Sequence, residues 1–155
     1  MNVVTHFLSE GHPRWPLLVY PGAVTRISAE AFEDLFTRNQ WPAAWRDGVF
    51  PFHHFHSNAH EALGVYAGEV TVQFGGDKGV AVSAKPGDVN VLPAGTGHKK
   101  LASRGSLGIV GAYPAGQHPD TCRPGKDHSA AVAAVPLPAC DPVCGPGGPL
   151  FRYWR

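Results

Sequence analysis

The sequence predicts an all-β fold, a sandwich, jelly roll or closed barrel, with one short N-terminal helix and an irregular Pro/Gly-rich C-terminal segment. Three observations predict it. Short apolar runs, several alternating with polar residues, fill the stretch from Val49 to Tyr113. Turn-forming residues punctuate the chain, which has 19 Gly and 15 Pro. Only one segment, Ser28 to Asn39, shows a convincing helical period. Many short strands separated by Gly/Pro turns favour two-layered or closed β architectures.

Taken in order, residues 12–25 (HPRWPLLVYPGAVT) hold three prolines and no helical period. They read as an extended arm with a short edge strand around Leu17 to Tyr20. In SAEAFEDLFTRN, Ser28 can cap the helix, and Glu30 and Glu33 suit its positive N-terminal end. Phe32, Leu35 and Phe36 form its apolar stripe. Farther on, Val70, Val72 and Phe74 alternate with polar partners, as in a strand with one wet face. GGDKG at 75–79 is a hairpin loop, and Val80 and Val82 resume the alternation. Lys85-Pro86-Gly87-Asp88 forms a turn, Val89 to Leu92 a buried strand, and Leu107 to Tyr113 another. The pattern dissolves over 114–149, and Leu150-Phe151-Arg152-Tyr153-Trp154 then offers large apolar side chains. Such a tail is expected to dock on the barrel or on a second subunit.

The 155 residues suit one domain, and 43% hydrophobic against 16% charged residues is enough for a real core. A net charge of +1 offers no electrostatic footprint for nucleic acid. No run is apolar and long enough to cross a bilayer, and Met1 to His12 lacks a secretory pattern, so a cytoplasmic setting is expected. Cys122, Cys140 and Cys144 are an odd number and make no disulfide framework; they read as reduced thiols rather than half of a zinc site.

Four of the nine histidines fall between His53 and His60. In His54-Phe55-His56 the two imidazoles are two positions apart, which on a strand puts them on one face. If 57–60 form a turn, Glu61 starts the returning strand opposite the pair, with Leu63 and Val65 on its face. The spacing is Gly48, five residues, His54-x-His56, four residues, Glu61, six residues, Gly68. A second run follows: Gly87, five residues, Pro93-x-Gly95, two residues, His98.

These two frames resemble the paired motifs of the cupin family over roughly residues 45–115. The wording FPFHHFHSNAHEALGVYAG, VLPAGTGHKKL and DPVxGxxGPL is similar to the uncharacterised bacterial YjlB-like cupins over nearly the whole chain. The resemblance implies a single-domain, RmlC-like jelly-roll barrel with His54, His56, Glu61 and His98 as ligands of one divalent metal ion in the barrel mouth. It also implies pairing through edge strands, hence a homodimer. The family's frequent Asn stands here as Ala102, which touches a supporting hydrogen bond rather than the ion. Three imidazoles and a carboxylate suit Fe, Mn, Ni, Co, Cu or Zn, with open positions for water, dioxygen or substrate.

Around this set, His53 is expected on the opposite face. His60 is the candidate proton carrier, because a histidine titrates near neutral pH; a supporting or solvent-facing role stands beside it. Lys100 shares parity with His98 and is a candidate for holding a substrate carboxylate, or else a rim lysine. Trp41, Trp45 and Arg46 line the pocket or serve packing. The expected function is a metal-dependent enzyme, dioxygenase-like, acting on a small organic molecule. The alternatives are a metal-dependent isomerase, epimerase or lyase, and a non-catalytic metalloprotein that binds a small ligand.

Overall fold

A computed structural model describes residues 1–155. Its strands are β1 (Val4–His6), β2 (Leu17–Tyr20), β3 (Ala43–Asp47), β4 (Glu61–Phe74), β5 (Val80–Ala84), β6 (Val89–Leu92) and β7 (His98–Ala112). Its helices are α1 (Ala29–Arg38), α2 (Ser129–Ala134) and α3 (Leu150–Tyr153). The strands form an antiparallel sheet in the order β1-β2-β6-β4-β7-β3, with β5 also paired to β4. This is the all-β fold class that the sequence predicts, with few and short helices. No helix is long and apolar enough to cross a membrane.

Two long strands organise the molecule. Near its start β4 pairs with β6 through Glu61↔Leu92 and with β7 through Ala62↔Ala112; near its end it pairs with β5 through Phe74↔Val80 and with β7 through Phe74↔His98. The β4–β7 register shifts between Val65 and Ala67, Ala67 and Glu69, and Thr71 and Val72. Irregularities of this kind bend and twist a strand, so one pair can serve both halves of a curved sheet. Successive β4 side chains face opposite sides, and the two buried clusters divide accordingly. Ala62 packs with Phe32, Phe36, Val89 and Val110 under α1. Leu63, Val65, Val70, Val72 and Phe74 pack with Leu17, Leu92 and Ile109 in the other cluster.

Helix α1 forms as expected: the Ser28 hydroxyl accepts from the Ala31 N–H at 3.0 Å, and Phe32, Leu35 and Phe36 are buried. Phe32 lies directly on β4 because position 64 is glycine. A Cβ there would stand 2.4 Å from the phenyl ring. The C-terminus docks on its own chain. Trp154 is buried, stacks on Trp15 at 5.5 Å and donates its indole N–H to the Pro16 carbonyl at 2.9 Å.

Two expectations are corrected. His54-Phe55-His56 is not a regular strand; it is held by single bridges, His54 to His98 and Phe55 to Cys122. It lies between two neighbours and bonds alternately to each, so no continuous ladder develops. The stretch 114–149 is also not wholly irregular, since it contains α2.

Candidate metal centre

Each element around the site fixes one side chain. The backbone of His54 exchanges two hydrogen bonds with His98, at 3.3 and 2.9 Å, which locks the two motifs together. Phe55 exchanges a similar pair with Cys122, and the His56 carbonyl accepts from the Gly95 N–H. Glu61 opens β4 and His98 opens β7. The four predicted ligands are all buried.

The three imidazoles are anchored alike, each through Nδ1. Nδ1 of His54 bonds the Phe52 carbonyl at 3.1 Å, Nδ1 of His56 the Asp120 carbonyl at 2.5 Å, and Nδ1 of His98 the Thr96 carbonyl at 3.0 Å. A carbonyl only accepts, so each Nδ1 carries the proton and each neutral ring has its lone pair on Nε2. A partner that fixes the tautomer in this way is the usual support of a metal-binding histidine. One ligand atom from each of His54, His56 and His98 lies within 4.8 Å of the others, and the three can hold a metal ion.

Glu61 completes the arrangement. Its Oε1 stands 3.4 Å from Nε2 of His56 and 3.2 Å from Nε2 of His98, yet it is buried and makes no directed hydrogen bond. In the neutral rings the Nε2 lone pairs face this oxygen, and a proton or a metal ion between them relieves the repulsion. Without a cation between them this arrangement is unfavourable. Burial pushes the Glu61 carboxyl up, but the hydrogen-bonding reach and charge of His56 and His98 outweigh it and hold the group below the usual carboxylate range. Burial pushes His56 down, and Glu61 with the Asp120 carbonyl more than reverses this. Burial, with His98 alongside, lowers His54 to about 4, so it is neutral at physiological pH. The donor set and the orphaned oxygen fit a divalent transition-metal ion.

The site opens into a cavity of about 350 Å³. Its walls include Trp45, Val49, Phe50 and Leu63, and its polar groups include Lys100, Tyr113 and Thr121. Lys100 and Trp45 line this cavity, and Trp41 and Arg46 do not. Trp41 is fully buried, with its indole N–H on the Cys140 carbonyl at 2.8 Å, and Arg46 pairs with Glu33 of α1 at 2.7 Å. His53 points away from the ligands, to Asp77 at 2.8 Å.

His60 is not in the cavity. It is fully buried: Nδ1 accepts from the Ala94 N–H at 2.9 Å, and Nε2 donates to the Pro136 carbonyl at 3.0 Å. Its ring packs 4.9 Å from Trp154, and burial lowers it to about 4. The physical reason is the two-residue period: His60 and Glu61 are neighbours and face opposite sides. As a proton carrier it has neither a free nitrogen nor access.

Two residues at the site escape the sequence reading, Tyr113 and Asp120. Tyr113 directly follows β7, and its hydroxyl receives the Trp45 indole N–H at 2.9 Å. Asp120 holds His56 by its carbonyl, while its carboxylate takes the Ser57 N–H at 2.7 Å and the Ser57 hydroxyl. No periodicity marks the segment that contains Asp120.

No family model matches the chain. A curated protein of Bacillus subtilis strain 168, described as uncharacterized protein YjlB, is 42% identical over 147 residues, covering 92% of this chain and 88% of that protein. The chain belongs to the YjlB family. The YjlB-like wording seen in the sequence is thus a family relationship over most of the chain. Among solved structures, the crystal structure of a DUF861 family protein from Thermotoga maritima is similar over 61% of this YjlB-family chain and 96% of its own, at 20% identity and a TM-score of 0.39.

Proposed function

We propose that this YjlB-family protein is a mononuclear metalloenzyme in which His54, His56, His98 and Glu61 hold one divalent transition-metal ion, and that it acts on a small organic molecule in a dioxygenase-like reaction. The observation that supports this best is the three gathered, Nδ1-anchored imidazoles, of which His56 and His98 face a buried Glu61 oxygen that has no hydrogen-bond partner. Bound there, the ion supplies Lewis acidity and, if it is iron, one-electron chemistry with dioxygen.

The chain's own residues define the rest. Phe50, Val49, Leu63 and Trp45 give the cavity apolar walls that take a carbon skeleton and exclude water. Lys100 lines the same cavity and offers a cation for a carboxylate or enolate. With three neutral imidazoles, one carboxylate and a divalent ion, the ligand set carries about one positive charge, which also favours an anionic substrate. The same reading includes a homodimer: β1 is an edge strand, with Val4 and Phe7 exposed beside it.

The test is oxygen uptake by iron-loaded protein against a panel of 2-oxo acids, 1,3-diketones and catechols. Uptake coupled to loss of one substrate supports the reading. Conversion without oxygen consumption replaces it with an isomerase or lyase; ligand-induced thermal stabilisation without product replaces it with a binding protein. Light scattering that shows only a 16.5 kDa monomer at high concentration overturns the dimer.

A further inference from the structure

Aromatic rings wall the cavity, and two of them are held in place from behind. Trp45 on β3 lies against Gly111 of β7, where a Cβ would stand 2.1 Å from Cε2 of the indole, so glycine is what lets the ring settle on the strand. The indole N–H donates to the Tyr113 hydroxyl at 2.9 Å, which fixes the ring against the wall. Phe50 stacks on Phe52, with ring centroids 4.9 Å apart and planes 11° from parallel. The Arg123 guanidinium in turn lies 4.0 Å from the centre of the Phe52 ring. Phe50 is nevertheless 53% exposed, and it lines the cavity together with Trp45.

Folding does not explain that exposure. The stack on Phe52 covers part of the Phe50 ring and leaves the rest in water at the cavity's edge. Apolar surface left open beside a cavity is surface for a ligand. A ring held beforehand loses little freedom when a ligand covers it, and a planar aromatic partner gains more from it than buried area alone supplies.

The charge lies next to the ring. Lys100 is the only lysine or arginine that lines the cavity. The ion pairs of lysine and arginine involve Arg46, Lys85 and Arg104, so the Lys100 ammonium is free for a ligand. Asp47, an acid on the same wall, turns its carboxylate to the Gly48 N–H at 2.8 Å. The Lys100 N–H donates to the Phe50 carbonyl at 2.9 Å, so the two side chains leave neighbouring points of the wall.

We propose that the cavity takes an aromatic carboxylate, with Phe50 as the specificity-determining residue that receives the ring and Lys100 as the partner of the carboxylate. This rests on the reading of the cavity as a substrate site beside a metal ion, and it narrows the substrate class. Among 2-oxo acids, those that bear an aryl group meet both requirements.

Isothermal titration calorimetry of the zinc-loaded protein with benzoate, cyclohexanecarboxylate and benzyl alcohol tests this. The two acids share their charge and nearly their size, but only benzoate has a π face; benzyl alcohol keeps the ring without the charge. Benzoate is expected to bind about three- to tenfold more tightly than cyclohexanecarboxylate, the usual gain of an aromatic pair beyond area burial. Benzyl alcohol should bind most weakly. Phe50→Leu, at an exposed position, should bring benzoate down to the level of cyclohexanecarboxylate, and Lys100→Met should weaken both acids alike. Equal affinity for the two acids, a preference retained in Phe50→Leu, acids unaffected by Lys100→Met, or binding of neither acid overturns the proposal. A chain that takes up no zinc overturns the metal reading instead, and the same titrations on the metal-free chain then decide the ring preference separately.

Discussion

The Asp120 carbonyl stands 2.5 Å from Nδ1 of His56, across 64 residues of sequence. The same residue's carboxylate grips the backbone and hydroxyl of Ser57, and Asn58 bonds both the Asp120 N–H and the His118 carbonyl. A loop from the C-terminal half of the chain therefore orients a predicted metal ligand on the first motif. Asp120→Ala keeps the carbonyl but releases Ser57, so His56 loses its fixed orientation. Zinc affinity should fall several-fold, up to the tenfold to hundredfold range of orienting groups, with only a small drop in melting temperature. Chelator competition beside a thermal melt checks this; unchanged affinity contradicts it.

His53 and His60 provide the contrast. His53→Ala removes only a contact to the exposed Asp77 and should leave metal content intact. His60→Ala opens a cavity beside Trp154 and leaves the Ala94 N–H unpaired, at a cost of roughly 2–4 kcal/mol. It should lower stability in urea while the folded fraction keeps its metal. Loss of metal in His53→Ala with retention in His54→Ala would reverse the assignment of faces.

Asp141 closes the C-terminal segment. It is fully buried and accepts the Tyr20 hydroxyl at 2.5 Å and the N–H groups of Val143, Cys144 and Leu150 at 2.7, 2.9 and 2.9 Å. Asp141→Ala leaves four donors without a partner and should cost about 3 kcal/mol or more. Tyr20→Phe removes one bond and should cost about 1–2 kcal/mol. Urea denaturation of both variants checks the order.

Acid should weaken the fold through His12. Its Nδ1 accepts the N–H groups of Arg14 and Trp15, its ring stacks on Trp15 at 4.4 Å, and its Nε2 is buried without a partner. Burial, then the Arg14 charge, lowers it to about 4. Below its ordinary value near 6.5 the unfolded chain binds the proton more readily than the folded one. Stability is therefore full above pH 6.5 and is lost as pH falls toward 4, by at most roughly 3 kcal/mol. His12→Asn keeps an acceptor but does not titrate. Its loss of stability between pH 7 and 4.5 should be smaller than the wild type's; equal losses contradict the assignment.

Much of this was legible in the sequence because it depends on local period. The stripe Phe32, Leu35, Phe36 and the cap Ser28 define α1; the strand near Leu17 to Tyr20 and the runs at 70–74, 80–82 and 89–92 appear as strands. The two spaced frames come together because the His54–His98 bridge and the Glu61↔Leu92 pairing join one to the other. Parity also shows why His60 was misplaced: a residue next to Glu61 on a strand faces the other cluster. Asp120 and Tyr113 were not legible, since Asp120 reaches His56 along a loop without period and Tyr113 is held in the cavity wall by an indole on β3. Likewise, α2 lies in a Pro/Gly-rich stretch whose only helical signal is six small residues, SAAVAA.

If His54, His56, His98 and Glu61 bind a single ion, plasma mass spectrometry of untagged protein, beside a folded His56→Ala variant, will find it. About one transition metal per chain is expected in the wild type and nearly none in the variant. A wild type that remains metal-free after anaerobic reconstitution, or a variant that keeps its full complement, would contradict it.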